Sequence, residues 1–277
     1  MTQTTYSHLQ KHLATSLAAF LDADEARAEA RRWLQEGFGL SPSWLLAHGD
    51  DTVPSRDLDL AGTWLSRRRE GEPWSYILGW APFRGRRFKV TRDTLIPRPE
   101  TELVLEAALE VGRRLKVLHA VDVGTGSGIL AVSMALETDW EIRASDISRR
   151  ALEVARENAA ALGARVAFHK GDLLGPLPDP LGLVVSNPPY VDPADAPALQ
   201  RELAFEPASA LFAEDRGLAL ASALLGQARV RMAPGVVLEI GSGQGAELKA
   251  RAEAMGWSRV AVHQDFAGHD RVLMALA

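Results

Sequence analysis

From Pro99 to its end the chain alternates short apolar runs with amphipathic stretches, and this alternation restricts the fold more than any other feature. Strands are expected at residues 117–123, 141–145, 165–169, 183–186, 236–240, 259–263 and 271–276. Helical periodicity fits between most of them, at 129–137, 149–162, 218–232 and 246–255. Apolar strands that alternate with helices belong in a parallel sheet covered on both faces. Only the last two strands are joined by a link, residues 264–270, too short for a crossover helix, so that edge is expected to be antiparallel. The expectation is an α/β domain around a mostly parallel seven-stranded sheet.

The first eighty residues have a different period. Leu9, Leu13, Leu17 and Phe20 recur at helical spacing, and Ala28, Trp33 and Leu34 lie in an Ala/Arg/Glu-rich stretch that ends near Gly37 and Gly39. Ser41-Pro42 reads as an N-cap followed by proline in the first turn, and a further helix is expected over 57–69 with Leu60, Trp64 and Leu65 inward. Five of the seven tryptophans (Trp33, Trp44, Trp64, Trp74 and Trp80) fall here, which points to the core of a small bundle rather than to a cofactor surface. From Tyr76 to Val90 the pattern becomes β-like, with Gly85 where a hairpin would turn. Its basic residues Arg84, Arg86, Arg87 and Lys89, with Arg92 and Arg98, read as a solvated face, or alternatively as a docking patch for an acidic partner. The expected division is a helical domain over 1–73, a β-hairpin linker over 74–98 and the sheet domain over 99–277, where Pro99 opens a helix with Glu100 and Glu102 in its first turn.

Charge and composition narrow the function. Thirty-one basic against thirty-six acidic residues leave a formal charge of −5, where a protein that grips nucleic acid by its phosphates usually carries a basic excess. With no cysteine there is no disulfide, zinc-thiolate site or thiol nucleophile. His263 and His269 lack a ligand spacing, so no metal is expected. The opening Met1-Thr2-Gln3-Thr4-Thr5-Tyr6 has neither the basic stretch nor the apolar run of a signal peptide, and no apolar segment approaches the ~20 residues that span a bilayer. A monomeric cytoplasmic protein is expected.

Two glycine loops compete as a ligand site. In Asp122-Val123-Gly124-Thr125-Gly126-Ser127-Gly128 a strand runs into a helix, and glycines there let backbone N–H groups approach a ligand at the helix N-terminus. The next strand ends at Asp146, 22 residues after Gly124, where a carboxylate accepts from both hydroxyls of a ribose. The spacing G-x-G-x-G, rather than G-x-G-x-x-G, favours a cofactor without a pyrophosphate, such as S-adenosylmethionine. The second loop, Gly241-Ser242-Gly243-Gln244-Gly245, is followed by Asp265 at a similar distance, but only twelve residues remain beyond it. It reads as a structural turn.

The fourth strand of the sheet domain runs into Asn187-Pro188-Pro189-Tyr190. Prolines carry no N–H and fix φ, so this corner is stiff and presents carbonyl oxygens. Asn187 Oδ1 and the Pro188 carbonyl suit the two N–H bonds of a planar NH₂ group, and Tyr190 suits its conjugated plane. Such an acceptor pair fits methylation of a conjugated amino group. A binding module that does no chemistry would not need it.

Asp122 to Gly128, Asp146, Gly171-Asp172 and Asn187 to Tyr190, in this order, resemble a class I S-adenosylmethionine-dependent methyltransferase with a Rossmann-like sheet. The tetrapeptide also occurs in DNA adenine-N6 methyltransferases, so a nucleic acid adenine-N6 methyltransferase is the alternative. More specific are Tyr76-Ile77-Leu78-Gly79, Leu95-Ile96-Pro97-Arg98-Pro99-Glu100-Thr101-Glu102 and Phe205-Glu206-Pro207, which resemble the peptide-chain release factor glutamine N5-methyltransferases (the PrmC/HemK family). The resemblance implies methylation of the glutamine side-chain amide in the Gly-Gly-Gln tripeptide of bacterial release factors, with S-adenosylhomocysteine as the product. It implies that Gly124, Thr125, Gly126, Ser127 and Gly128 hold the methionine part of the cofactor, Asp146 the ribose, and Asp172 and Leu173 the adenine. Asn187 would touch cofactor and substrate amide, with Pro188, Pro189 and Tyr190 completing the substrate clamp. The helical domain would recognise the release factor.

Overall fold

A computed structural model describes residues 4–277; Met1, Thr2 and Gln3 lie outside the described residues. The chain forms two compact units, one ending at Leu78 and one running from Gly79 to Ala277.

The first unit contains helices α1 (Tyr6–Leu17), α2 (Ala23–Arg32), α3 (Pro42–His48), α4 (Ser55–Arg69) and α5 (Trp74–Leu78). Side-chain oxygens start three of them. Thr5 accepts from His8 N, Asp22 from Asp24 N and Glu25 N, and Ser41 from Trp44 N, with Pro42 in the first turn as expected. Leu9, Leu13, Leu17, Trp33 and Leu34 form the core with Trp64 and Trp74. Trp33 stacks on Trp74 at 4.7 Å and meets Trp64 edge-on at 6.1 Å. Gly37 lies under Trp64, where a methyl would come within 2.5 Å of the ring. Of the five tryptophans, Trp44 is half-buried and packs against this core beside Tyr6, and Trp80 lies in the second unit. Phe20 is outside this core, because α1 ends at Leu17.

Tyr76-Ile77-Leu78 is helical, not β-like. The Pro73 carbonyl accepts from Tyr76 N and Ile77 N, closing a single turn that Gly79, at φ +83°, terminates. The hairpin starts later, as β1 (Trp80–Phe83) and β2 (Arg86–Lys89), around Arg84 and Gly85, both at positive φ. Arg87, Lys89 and Arg92 of its basic cluster are exposed, as a solvated face requires, and the chain's own carboxylates meet much of its charge. Arg84 pairs with Glu106, Arg86 with Glu137, Lys89 with Glu157 and Arg98 with Glu206, while Arg87 lies over the Trp80 ring and Arg92 over Phe205.

Beyond the hairpin come α6 (Thr101–Leu115), β3 (His119–Val123), α7 (Ile129–Glu137), β4 (Glu141–Asp146), α8 (Arg149–Leu162), β5 (Val166–Lys170) and β6 (Leu183–Ser186). The short α9 (Ala208–Leu211), α10 (Ala219–Val230), β7 (Gly235–Glu239), α11 (Gly245–Ala254), β8 (Arg259–Gln264) and β9 (Asp270–Leu276) complete the unit. Helix α6 begins at Thr101, not Pro99, and Glu100 is its N-terminal flank. The seven strands lie in the order β5-β4-β3-β6-β7-β9-β8, parallel except for β9, which is antiparallel to both neighbours. The short final link therefore makes an antiparallel edge, as its length requires. Alternate residues of the central strands feed two cores. Ala120, Ile142, Leu183 and Val185 pack with Val104, Leu105 and Met134 on one face. Val121, Val184, Val236 and Leu238 pack with Leu224, Leu225 and Leu248 on the other.

Candidate active site

The strand order reverses between β3 and β6, and in open α/β sheets ligands bind beyond the C-terminal strand ends at such a switch. Register sets three ends level: Val123 pairs with Ser186, and Ser186 with Leu238. Gly124, Asn187 and Glu239 are therefore the next residues on three adjacent strands. Above β3 and β6 lies a cavity of about 330 Å³ lined by Gly124, Thr125, Gly126, Ser127, Asp146, Asp172, Leu173, Asn187, Pro188 and Pro189. Of the expected site residues, Gly128 and Tyr190 are not in the lining.

The first glycine loop is shaped for close approach. Gly124 and Gly126 have φ of +68° and +55°, and nothing lies within 4 Å of where a Cβ would sit on either. Gly124 N and Thr125 N donate to the Ser145 carbonyl, tying the loop to β4. Gly128 serves packing instead, since a Cβ there would lie 3.1 Å from Ala155 of α8. Asp146 Oδ2 accepts from Gly126 N at 2.9 Å and Oδ1 from Ser148 N at 2.8 Å, which leaves each oxygen a further lone pair. Burial raises its pKa, against the pull of those backbone N–H groups. Leu173, at φ +46°, holds a strained backbone while its carbonyl accepts from Ser145 Oγ at 2.8 Å.

Asp122 was not singled out for a role by the sequence, although it precedes the first glycine by two residues. It is buried in the cavity wall. Oδ2 accepts from Thr125 Oγ1 at 2.6 Å and Ala131 N at 3.1 Å, whereas Oδ1 is buried without a partner. Burial pushes this carboxyl up to about 7, and the nearby Asp146 charge adds to the rise. A buried acceptor with no donor calls for a cationic or N–H-bearing ligand. The open glycines, the free lone pairs of Asp146 and this orphaned oxygen fit the amino group, ribose and chain of S-adenosylmethionine.

Asn187 is held from behind. Its Nδ2 donates to Thr101 Oγ1 at 3.2 Å, Thr101 Oγ1 donates to Glu239 Oε2 at 2.7 Å, and the Tyr190 hydroxyl donates to Glu239 Oε1 at 3.2 Å. Glu239 is buried, and its carboxyl is pushed up to about 7 by that burial. Burial and the Glu239 charge together raise the Tyr190 phenol, which stays protonated. Tyr190 thus turns toward the end of β7, and Gln244 Nε2 holds its carbonyl at 3.0 Å.

Two of the three family-like segments outside the loops meet at the cavity. Buried Glu206 accepts from Ile96 N at 3.0 Å and pairs with Arg98, so Phe205-Glu206-Pro207 clasps Leu95-Ile96-Pro97-Arg98. Leu95, Pro97, Arg98 and Pro207 line the opening. The sequence presented both segments as motifs without a reason; their reason is each other. No group of three or more His, Asp or Glu side chains suited to a metal occurs among the described residues, and no described helix is long and apolar enough to cross a membrane.

Comparison with known proteins places this geometry. Residues 101–213 match the methyltransferase small domain and residues 11–79 the PrmC N-terminal domain. A release factor glutamine methyltransferase of Bordetella pertussis is 41% identical over 251 residues, covering 89% of this chain and 93% of that protein. One of Neisseria gonorrhoeae is 43% identical over 254 residues, 90% and 92% of the two chains. Among solved structures, the hMettl16 catalytic domain in complex with a MAT2A 3′UTR hairpin has a TM-score of 0.57 at 16% identity, over 78% of this chain and 80% of that one. The N-terminal domain of human METTL16 in complex with SAH has a TM-score of 0.52 at 15% identity, over 82% and 85%. These two share the fold.

Proposed function

The chain belongs to the release factor glutamine methyltransferase family, and on that premise we propose that it methylates the side-chain amide nitrogen of the glutamine in the Gly-Gly-Gln tripeptide of bacterial release factors. S-adenosylmethionine, when bound, supplies an electrophilic methyl group on a sulfonium. The observation that carries the reading is that the acceptor corner of Asn187 and Pro188 shares one cavity with Gly124, Gly126, Asp122 and Asp146.

One N–H of Asn187 goes to Thr101, which turns Oδ1 away from Thr101 to accept one N–H of the substrate amide. The Pro188 carbonyl takes the other. Two acceptors fix the plane of the NH₂ group and favour a pyramidal nitrogen, loosening the conjugation that makes an amide a poor nucleophile. Orientation of this kind contributes several kcal/mol. Neither acceptor is a strong base, so the amide keeps both protons while it is held, and once methylated the now acidic nitrogen gives one of them to solvent. Pro189 stiffens the corner, and Tyr190 anchors its far end. Asp172 and Leu173 would lie against the adenine. The N-terminal helical domain is assigned to the body of the release factor, and the enzyme to monomeric action in the cytoplasm.

The test is transfer from tritiated S-adenosylmethionine to purified release factor, to its Gly-Gly-Gln→Gly-Gly-Ala variant, and to DNA and RNA. Label is expected in the native factor alone. Label in nucleic acid but not in the factor would favour the adenine-N6 alternative and sink this reading. Asn187→Ala should lower turnover roughly 10²–10³-fold while the thermal midpoint moves by a few degrees at most.

A further inference from the structure

The second glycine loop has no ligand to hold, yet the residue that introduces it reaches the reacting corner. Glu239 stands two residues before Gly241, as Asp122 stands two before Gly124. Both are buried acids at the ends of parallel strands. Asp122 keeps one oxygen without a partner, whereas both Glu239 oxygens are occupied, by Thr101 and by Tyr190.

We propose that Glu239 is a positioning residue that selects the orientation of the Asn187 carboxamide through Thr101, so that Oδ1 and not the NH₂ faces the substrate. The proposal rests on the reading of Asn187 as an acceptor for the substrate amide.

The argument is one of hydrogen-bond direction. Above about pH 7 Glu239 is ionised, and an ionised carboxylate only accepts. At 2.7 Å from Glu239 Oε2, the single hydroxyl hydrogen of Thr101 must point at the carboxylate. What remains on Thr101 Oγ1 is a lone pair, and a lone pair calls for a donor. Asn187 satisfies it at 3.2 Å with Nδ2, the end that carries hydrogens. The carboxamide is then turned one way only, with its oxygen away from Thr101. If the terminal acceptor could donate, Thr101 could turn its hydrogen toward Asn187, the amide could flip, and two NH₂ groups would face each other across the cavity.

The same carboxylate anchors Tyr190, while Gln244 Nε2 binds the Tyr190 carbonyl at 3.0 Å and Gln244 Oε1 binds Gly241 N at 2.8 Å. The strand end and turn that mimic a cofactor loop thus brace both ends of the tetrapeptide. The Thr101 of the Leu95-to-Glu102 segment is the link that carries the brace to the amide.

Glu239→Gln preserves volume and removes a desolvated charge, so it is expected to fold. A neutral amide at that place can accept from Thr101 or from Tyr190, but not from both. With the full chain, S-adenosylmethionine and release factor, the expected result is a fall in kcat of at least tenfold, with the dissociation constant for S-adenosylmethionine within twofold of wild type. Thr101→Val should show a similar kcat loss, Thr101→Ser should recover most of it, and combining Glu239→Gln with Thr101→Val should add little to either alone. A Glu239→Gln enzyme within threefold of the wild-type kcat overturns the proposal. So does a Thr101→Ser protein as slow as Thr101→Val, a multiplicative double variant, or a parallel loss of cofactor binding and kcat. Should Glu239→Gln not fold, the Thr101 pair decides by itself. Asn187→Ala separates the two ideas. If it turns over normally, the reading of the site falls; if it is inactive while Glu239→Gln is normal, only the role of Glu239 falls.

Discussion

The two glycine loops have nearly the same sequence pattern and opposite relations to space. At Gly124 and Gly126 a Cβ would meet nothing within 4 Å, and the loop borders the cavity. In the second loop Gly243 is open, but Gly241 and Gly245 face the chain itself. Gln244 Oε1 takes Gly241 N at 2.8 Å, and a Cβ on Gly245 would lie 2.6 Å from Asp270 Oδ2. The acids that precede the loops differ in the same sense, one with an unpartnered oxygen and one with none. A glycine loop is thus a ligand site when its donors and its neighbouring acceptors are left unsatisfied by the protein, and a turn when a nearby side chain satisfies them.

The sharpest way to break this comparison is a matched pair of substitutions. Gly126 and Gly243 both have positive φ and open surroundings. Each change to alanine imposes a backbone strain of roughly 1 kcal/mol. Gly126→Ala should in addition weaken S-adenosylmethionine binding by roughly two orders of magnitude, since backbone approach is lost. Gly243→Ala should leave the dissociation constant unchanged; equal effects in calorimetric titrations would erase the distinction between the loops.

The second pair uses the acids placed similarly after each loop. Asp146→Ala should weaken cofactor binding by roughly 1.5–3 kcal/mol, as charged hydrogen bonds to the ribose are lost. Asp265 accepts from Ala267 N, His269 N and Arg271, all within its own hairpin, so Asp265→Ala should lower the melting temperature slightly and leave affinity unchanged.

Third, the orphaned oxygen of Asp122 predicts a pH dependence. Its carboxyl is raised to about 7, and the charged form is the one that attracts an ammonium group. Affinity for S-adenosylmethionine should fall as the pH drops through about 7, by up to about tenfold per pH unit, and Asp122→Asn should flatten that slope. A wild-type affinity constant from pH 6 to pH 8 would contradict it.

The smallest effect concerns stability at Glu239. A carboxyl whose pKa rises from 4.5 unfolded to about 7 folded binds more protons when folded, so wild-type stability falls as pH rises across that window. The unfolding free energy of Glu239→Gln relative to wild type, read from denaturant melts, should therefore increase between pH 5 and pH 8 by on the order of 2 kcal/mol. A difference that is flat with pH would mean the buried carboxyl does not titrate there.

Much of this was legible in the chain. Strand–helix alternation located each sheet strand to within a residue or two. Central strands such as β6 and β7, buried on both faces, leave unbroken apolar runs, and the edge strands β5 and β8 leave short β-branched ones. The failures have local causes. Tyr76-Ile77-Leu78 carries β-prone side chains, but Pro73 in front and Gly79 behind close a helical turn around them. The pairing of Arg84 and Arg86 had no local signal, because the glutamates that meet them lie on helices far along the chain. Arg98 and Glu206 stood out as motifs, yet their pairing spans 108 positions and has no local signature.

By itself, then, the sequence determined what depends on near neighbours: the succession of elements, the open first loop with Asp146 after it, and the stiff acceptor corner at Asn187. Those properties follow from backbone periodicity, glycine and proline geometry, and side-chain type. Tertiary structure alone decided which glycine loop stays open and which way the Asn187 carboxamide is turned. The direction of a hydrogen bond is set by whichever partner lies opposite, and here the partners are brought together from 86 and 138 residues apart.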